Sequence, residues 1–204
     1  MSPEETYNPL DKRHLAESIR NAMLQRPVHG LDQIENFDGA GIYAIYYHGD
    51  FDLYRPISAR NQAGTAALPI YVGKAIPAGN RRGLLDPRAK VGDPLWKRLK
   101  EHAESIRLSE NLQIAHFDCR YLVVDDIWIP LGESLLIQTF KPLWNVALDG
   151  FGNHDPGSGR RGQKQSPWDT LHPGRPWTLK QAPGEKPVAQ LRQELRLIIE
   201  RNLV

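Results

Sequence analysis

A chain of 204 residues is long enough to form one domain with a substantial hydrophobic core. Its hydrophobic fraction of 40% and charged fraction of 25% are ordinary for a globular protein, and a net charge of +2 identifies no class of partner. The one cysteine, Cys119, excludes an intramolecular disulfide and a cysteine-based zinc site, and its apolar surroundings predict a core position.

The first predicted helix covers residues 10–26, where Asp11 is the expected N-cap and apolar residues recur every four positions. A strand follows in GIYAIYY, residues 41–47. Alternation divides its side chains between two faces, with Tyr43, Ile45 and Tyr47 on one and Ile42, Ala44 and Tyr46 on the other. The second face is the more apolar, so Tyr46 is expected in the core, whereas the role of Tyr47 stays open.

The middle of the chain predicts two further strands and two helices. Residues 48–68 lack a clear period and predict a long loop, PIYVGKA at 69–75 predicts a short strand, and residues 75–92 form a loop rich in Gly, Pro and Arg. Asp93 as N-cap and Pro94 in the first turn mark the start of a helix. The alternating segment 114–124 predicts a third strand, and residues 132–141 predict a shorter helix.

The last part of the chain changes in composition. Residues 149–180 are rich in Gly, Pro, Arg, Asn and His and predict a loop, and residues 185–203 predict an amphipathic C-terminal helix. That helix either contacts a second subunit or packs on its own core. The predicted fold is a single α+β domain over residues 1–204, with a small, mostly antiparallel three-stranded sheet flanked by helices.

Several of these elements carry residues that suit phosphate chemistry. From Lys74 to Arg107 there are nine Lys and Arg against four Asp and Glu, a local net charge of +5. Arg98 and His102 lie four residues apart on one helix face, where an Arg fork suits a phosphate and a His suits proton transfer. Glu133 opens the next helix and suits a Mg²⁺ site that has a single carboxylate. Taken singly, each feature also fits a surface ion pair or a helix cap.

In chain order the features are GIY, YVG, an Arg-x3-His helix, a helical Glu and PLWN. Together they resemble the GIY-YIG nuclease superfamily over residues 39–145. The helical His102 and the segment 149–180 resemble its type II restriction endonucleases in particular. The expected catalytic residues are Tyr43, Tyr71, Lys74, Arg98, His102, Glu133 and Asn145.

The resemblance implies a site-specific endonuclease that hydrolyses double-stranded DNA with one Mg²⁺ ion per active site, held by Glu133. Arg98 would neutralise a phosphoryl oxygen, and Tyr71 would position water or phosphate. Tyr43 is favoured as the general base assisted by His102, although either group could hold that role. Lys74 and Arg98 are expected to lower the pKa of Tyr43 through their positive charge.

The chain departs from the superfamily in one respect, because 27 residues separate Tyr43 from Tyr71 where a tight hairpin is usual. The inserted loop 48–68 predicts DNA contacts by Arg55, Arg60 and Asn61. Residues 149–180 predict a DNA-recognition loop whose polar side chains include Asn153, His154, Arg160, Arg161, Gln163, Lys164, Gln165, His172 and Arg175.

Arginine is the usual partner of guanine, so this inventory predicts a GC-rich palindrome read by a homodimer. The alternatives are a repair or homing nuclease of the superfamily and an inactive DNA-binding protein of the same fold. Intact motifs disfavour the inactive protein, and the lack of a helix-hairpin-helix or zinc module disfavours the other nucleases. A polar N-terminus and the absence of a long apolar run predict a bacterial cytoplasmic protein with no membrane partner.

Overall fold

The computed structural model describes Asn8 and residues 11–77, 92–155 and 162–203, and it contains a four-stranded sheet. The strands are β1 (His29–Gly30), β2 (Gly41–Tyr47), β3 (Pro69–Ala75) and β4 (Phe117–Val123). They lie in the order β1-β4-β2-β3, and every pairing is antiparallel. The α+β class and the antiparallel sheet are therefore confirmed, while β1 is a fourth strand too short to show alternation in the sequence.

Helices cover the sheet on both faces. They are α1 (Lys12–Leu24), α2 (Arg55–Asn61), α3 (Pro94–Arg107), α4 (Ile129–Phe140), α5 (Leu143–Val146), α6 (Pro167–Leu171) and α7 (Val188–Leu203). Asp11 caps α1 as predicted, since its carboxylate accepts a 2.8 Å hydrogen bond from the Arg13 amide. Asp93 makes no such bond at the start of α3 and instead pairs with Lys97 at 2.7 Å.

Strand β2 lies between β3 and β4 and is buried on both faces. Tyr43, Ile45 and Tyr47 belong to one core cluster, and Ile42, Ala44 and Tyr46 belong to the other, as alternation predicts. The prediction of a core position for Tyr46 is confirmed. The Tyr47 hydroxyl accepts a 2.8 Å hydrogen bond from the Phe51 amide, so Tyr47 holds the start of the insertion.

The insertion after β2 is folded, which corrects the prediction of a loop at residues 48–68. It contains α2 and a preceding 3-10 turn, and its apolar residues Leu53, Tyr54 and Ile57 are buried. Asn61 is also buried, at 2% exposure, and the prediction that it contacts DNA is wrong. Its amide nitrogen donates to the carbonyls of Tyr47 and Leu68 and its oxygen accepts from the Leu68 amide, all at 2.8–2.9 Å.

Asn61 therefore joins the end of β2 to the residue before β3. These bonds hold the ends of the two strands together, as a tight turn would. Strand β2 therefore pairs with β3 from Gly41–Ala75 to Tyr46–Pro69 in spite of the insertion. The short α2 escaped sequence analysis because seven residues give too few turns to establish a helical period.

The insertion is tied to the C-terminal part of the chain by a buried hydrogen-bonded network. Tyr54 and His172 approach within 2.6 Å, and the other ring nitrogen of His172 lies 2.7 Å from the Asn111 side-chain oxygen. Burial lowers the pKa of His172 to about 3, so the ring is neutral and its Nδ1–H donates to Asn111. Tyr54 then donates to Nε2 while its oxygen accepts from the Trp144 indole at 3.1 Å. Each polar side chain of this network therefore has a hydrogen-bond partner.

Helix α7 packs on its own chain through Leu191, Leu195 and Ile199, which are all buried. Arg192 and Arg196 on the same helix pair with Asp52 of the insertion. The apolar stripe that suggested a possible subunit contact is thus already covered by this chain.

Replacing Tyr54 by Phe should lower the free energy of unfolding by about 1–3 kcal/mol, because it leaves a buried imidazole and a buried indole without a partner. Tyr46→Phe is the matched control, since the equally buried Tyr46 hydroxyl hydrogen-bonds to none of the described residues. Urea unfolding of both variants measures the difference. Equal losses of stability would contradict the proposed role of the network.

Candidate active site

The centre of the candidate site is a hydrogen bond between Tyr43 on β2 and His102 on α3. The hydroxyl and Nε2 are 2.6 Å apart, and both side chains are buried. Helix α3 packs on the sheet through Leu95, Leu99 and other apolar residues, and this packing directs His102 inward rather than to the surface. The possibility that His102 belongs to a surface pair is therefore excluded.

Burial controls the protonation of both partners. It raises the pKa of Tyr43 well above its ordinary value, with the neighbouring Tyr71 adding to the effect, and Arg98 only opposes it. Burial, followed by the Arg98 charge, also lowers the pKa of His102 well below its ordinary value. Both groups are neutral at pH 7, and in the tautomer with the proton on Nδ1 the Tyr43 hydroxyl donates a hydrogen bond to Nε2. Arg98 does lower the pKa of Tyr43 as expected, but the expectation of a lowered pKa overall is wrong, because desolvation outweighs this charge and Lys74 contributes nothing to it.

Lys74 has a different partner from the one expected. Its ammonium lies 2.6 Å from the Glu133 carboxylate, with both side chains partly exposed. Glu133 is brought there because α4 packs tightly on β2: a Cβ at Gly132 would come within 3.1 Å of the Ile42 methyl group. The predicted helix began at residue 132, whereas α4 begins one turn earlier, at Ile129.

The surroundings of Glu133 fit a cation with one protein ligand. Among residues 11–77, 92–155 and 162–203, no three His, Cys, Asp or Glu side chains form a group that could hold a metal. A hard divalent cation that takes one carboxylate from the protein obtains its remaining oxygens from water and phosphate. Such a cation would compete with Lys74 for the same carboxylate.

Arg98 lies one helical turn from His102 and is held by three neighbours. It donates to the Glu101 carboxylate at 3.0 Å and to the Gly152 carbonyl at 3.0 Å. It also donates to Nε2 of His154 in a very short contact. The Arg98 side chain remains 21% exposed, so it can still contact a phosphate.

Two glycines make room for the tyrosines. A Cβ at Gly73 would lie 2.5 Å from the ring carbon that carries the Tyr43 hydroxyl, so the strand partner of Tyr43 must be glycine. A Cβ at Gly152 would lie 2.9 Å from the Tyr71 hydroxyl. The Tyr43 and Tyr71 rings are thereby brought to 6.2 Å between centroids. A glycine is therefore required in the YVG motif, because any larger residue at position 73 would collide with the Tyr43 ring.

Asn145 supports the site from the outer edge of the sheet. Its amide oxygen accepts from the Val72 amide and its nitrogen donates to the Val72 carbonyl, both at 2.8 Å. Strand β3 is an edge strand, and this pair of bonds replaces those of a further strand. Asn145 therefore fixes the backbone between Tyr71 and Gly73 and does not present its amide to the reacting centre.

Two residues of the turn that follows α5, Phe151 and Gly152, belong to the site although the sequence motifs do not include them. The ring of Phe151 stacks on His102, with centroids 4.5 Å apart and planes inclined by 18°, and it meets Tyr71 edge to face. The signal lies in DGFGN, in which one aromatic residue stands between two glycines shortly after the asparagine motif. Gly152 contributes the carbonyl that binds Arg98.

The predicted DNA contacts divide into exposed, buried and undescribed residues. Exposed side chains are those of Arg55, Arg60, Asn153, His154, Gln163 and Lys164. The prediction that Arg175 contacts DNA is wrong, because it is fully buried and paired with Asp169 at 2.6 Å. His172 is also buried, and Gln165 donates to the Thr178 carbonyl. Arg160 and Arg161 lie outside the described residues.

Four of the exposed candidates line one cavity beside the site. Its volume is about 580 Å³, and its walls include Asn153, His154, Gln163 and Lys164. Because Gly152 also lines it, the cavity borders directly on the neighbours of Arg98.

A family model described as the Eco29kI GIY-YIG domain matches residues 35–199, which is most of the chain. The protein belongs to this family. The Eco29kI GIY-YIG family is a type II restriction endonuclease family, so the chain is a GIY-YIG nuclease, and nucleases of this kind generally use a divalent metal. No curated protein sequence matched the chain. None of the described helices is both long and apolar enough to cross a membrane.

The two buried histidines predict a loss of stability in acid. The pKa of His172 is about 3 in the folded protein and that of His102 is also lowered, whereas an unfolded histidine has a pKa of about 6.5. The stabilisation is therefore complete above pH 6.5 and is lost as the pH falls below it. Each histidine adds a slope of up to about 1.4 kcal/mol per pH unit.

Urea unfolding between pH 7.5 and pH 4.5 measures this slope. The variant His172→Gln should unfold with a shallower pH dependence, reduced by about one proton, because one buried neutral histidine is missing. A variant slope equal to that of the wild type would show that His172 does not carry the effect.

Proposed function

We propose that this chain is a site-specific type II restriction endonuclease, cytoplasmic in a bacterium, that hydrolyses double-stranded DNA with one Mg²⁺ ion per active site. The observation that supports this most directly is the buried Tyr43–His102 hydrogen bond beside Arg98, together with the partly exposed Glu133 carboxylate, which is paired with Lys74. These groups provide a proton acceptor, a phosphate ligand and a metal ligand within one fold of the Eco29kI GIY-YIG family.

The proton leaves the attacking water through a relay. Because the pKa of Tyr43 is raised, a phenolate formed in advance is unavailable at neutral pH. The neutral pair avoids this difficulty: the Tyr43 oxygen takes a proton from water as its own proton passes to Nε2 of His102. The phosphate of the bound DNA offsets the positive charge that develops on the imidazole. A His102→Gln variant with an unchanged cleavage rate would contradict this relay.

The remaining charges are placed for the phosphate. Arg98 binds a non-bridging oxygen and stabilises the charge that accumulates there in the transition state. Glu133 would hold the metal, which when bound supplies Lewis-acid stabilisation of the phosphate and the leaving oxygen. Without a metal, Lys74 neutralises the charge of Glu133. If Glu133 held the metal, the Lys74 ammonium would be free to pair with a nearby phosphate.

Recognition is proposed to involve the cavity that Asn153, His154, Gln163 and Lys164 share. The amides of Asn153 and Gln163 suit the edge of an adenine, and Lys164 suits a phosphate. Recognition of a GC-rich palindrome would depend on arginines. Arg160 and Arg161 lie in the sequence between His154 and Gln163, two residues of the cavity. Two subunits would be required to cut both strands symmetrically, so the active species on DNA is a homodimer.

Incubation with plasmid DNA tests the function. The wild-type protein with Mg²⁺ should give discrete fragments, and EDTA should abolish them. Glu133→Gln should lower the cleavage rate by roughly 100-fold or more, because it removes the carboxylate proposed to hold the metal and with it the metal's stabilisation of the transition state.

The matched control is Glu194→Gln, which breaks an ammonium–carboxylate pair of the same 2.6 Å length, with Lys186, in the C-terminal region. It should cleave as the wild type does. Random nicking would favour a repair-type nuclease, and metal-independent binding without cleavage would favour an inactive DNA-binding protein. Sequencing the fragment ends identifies the site and shows whether it is a palindrome.

Once the site is known, Gln163→Ala tests the recognition cavity. If Gln163 contacts a base edge, the variant should bind cognate DNA more weakly by about 1–3 kcal/mol and bind unrelated DNA as before. Gln193→Ala, on the exposed side of α7, is the control and should change neither affinity. Equal weakening on both DNAs would show that Gln163 contacts only the phosphate backbone, and unchanged affinity for both would show that it contacts neither.

A further inference from the structure

Arg175 is a fully buried arginine that binds the turn following α5. Its Nε and Nη2 atoms each lie 2.6 Å from the same Asp169 oxygen. Its two terminal nitrogens also donate to three turn carbonyls, those of Gly150 at 2.9 Å and of Phe151 and Asn153 at 3.2 Å. The five contacts match the five N–H donors of a guanidinium, so no donor is left over.

The guanidinium is held between two indole rings. Its central carbon lies 4.6 Å from the centroid of Trp168 and 4.8 Å from that of Trp177. Asp169 is itself oriented by the Ser166 hydroxyl at 2.6 Å. The rings fix the plane of the guanidinium and the carboxylate fixes one of its edges, so its three remaining donors are directed towards the turn.

That turn, residues 150–154, makes contact with both proton-transfer and phosphate-binding groups. Phe151 stacks on His102, and the Gly152 carbonyl accepts from Arg98. His154 also contacts the Arg98 guanidinium. The Arg175 donors therefore hold the turn from one side, and the site residues meet it on the other.

We propose that Arg175 is a positioning residue of the nuclease site, which acts through the turn at residues 150–154 to place His102 and Arg98. The inference rests on the proposed function. It assigns the part of the chain that contains Asp169 and Arg175 a role in catalysis and not only in stability. Asp169, Trp168 and Trp177 serve the same purpose through Arg175.

Loss of the hydrogen bonds from Arg175 to the turn should change the pKa of His102. The groups that face its ring are Tyr43, Tyr71, Arg98, His154 and the stacked Phe151, and the charge of Arg175 also reaches it. If the turn moves away, the ring of Phe151 no longer excludes water from the imidazole. The pKa of His102 then rises towards its ordinary value, and Arg98 loses a carbonyl that orients it.

The test is Arg175→Lys, which keeps the positive charge but loses the planar fork. Arg120→Lys is the matched control, because Arg120 is also buried and also donates to three backbone carbonyls, those of Arg26, Thr65 and Ala66. Arg120 stacks on Tyr46 and thus belongs to the opposite face of the sheet from Tyr43. Melting temperature, DNA affinity in EDTA, single-turnover cleavage at saturating DNA and NMR titration of His102 are measured for both.

Arg175→Lys should cleave roughly 10- to 100-fold more slowly at saturating DNA, the size of effect that a small misplacement of catalytic groups produces. Its DNA affinity should stay within about twofold, and His102 should titrate at a higher pH than in the wild type. Arg120→Lys should melt at a lower temperature and yet keep its cleavage rate and its His102 titration. If Arg175→Lys does not fold, Phe151→Leu replaces it. That variant keeps the hydrogen bonds between Arg175 and the turn carbonyls, and it removes the aromatic ring that stacks on His102.

The proposal is overturned if Arg175→Lys, or Phe151→Leu in its place, keeps both the wild-type rate and the wild-type His102 titration. It is also overturned if the two arginine variants lose activity in proportion to their loss of stability. A wild-type protein that cleaved no DNA would refute the proposed function, whereas the His102 titration, which needs neither DNA nor metal, would still decide whether Arg175 positions that ring.

Discussion

The hydrogen bond between Tyr43 and His102 is the interaction on which the rest of the site depends. Strand β2 is buried on both faces, so a hydroxyl that points into the core needs a partner there. A neutral imidazole on α3 provides it at 2.6 Å. The same burial that makes this bond necessary raises the pKa of Tyr43 and lowers that of His102, so both groups are neutral and a phenolate formed in advance is excluded.

Three devices hold the surroundings of this pair, and each acts on the backbone. Gly73 leaves the space through which the Tyr43 ring passes. Asn145 supplies the edge strand β3 with the two hydrogen bonds that a neighbouring strand would give. Arg175 binds three carbonyls of the turn that carries Phe151. Asn145 and Arg175 thus fix backbone segments next to Tyr71 and Phe151, whereas Gly73 lies directly against the Tyr43 ring.

The corrections to the sequence-based expectations share one cause. The expected DNA contacts of Asn61, His172 and Arg175 depend on the expectation that polar residues in a predicted loop are exposed. In the structure each is buried and bonded to backbone or to another buried side chain, and each joins two segments that are distant in the chain. Lys74, on the strand of the YVG motif, is expected from the sequence to stabilise a Tyr43 phenolate, whereas the packing of α4 pairs its ammonium with the Glu133 carboxylate at 2.6 Å.

The sequence by itself determined the α+β class, the two faces of β2, and the residue types and chain order of the site, because alternation, helix caps and the ordered motifs are local signals. It also pointed to Tyr43, Tyr71, Arg98, His102 and Glu133, which lie on predicted strands and helices. Only the tertiary structure decided which polar groups are buried, which partner each one has, and which state of protonation follows. Those properties depend on the desolvation and hydrogen bonds that arise when distant segments pack together, as Phe151 does on His102, and no local pattern contains them.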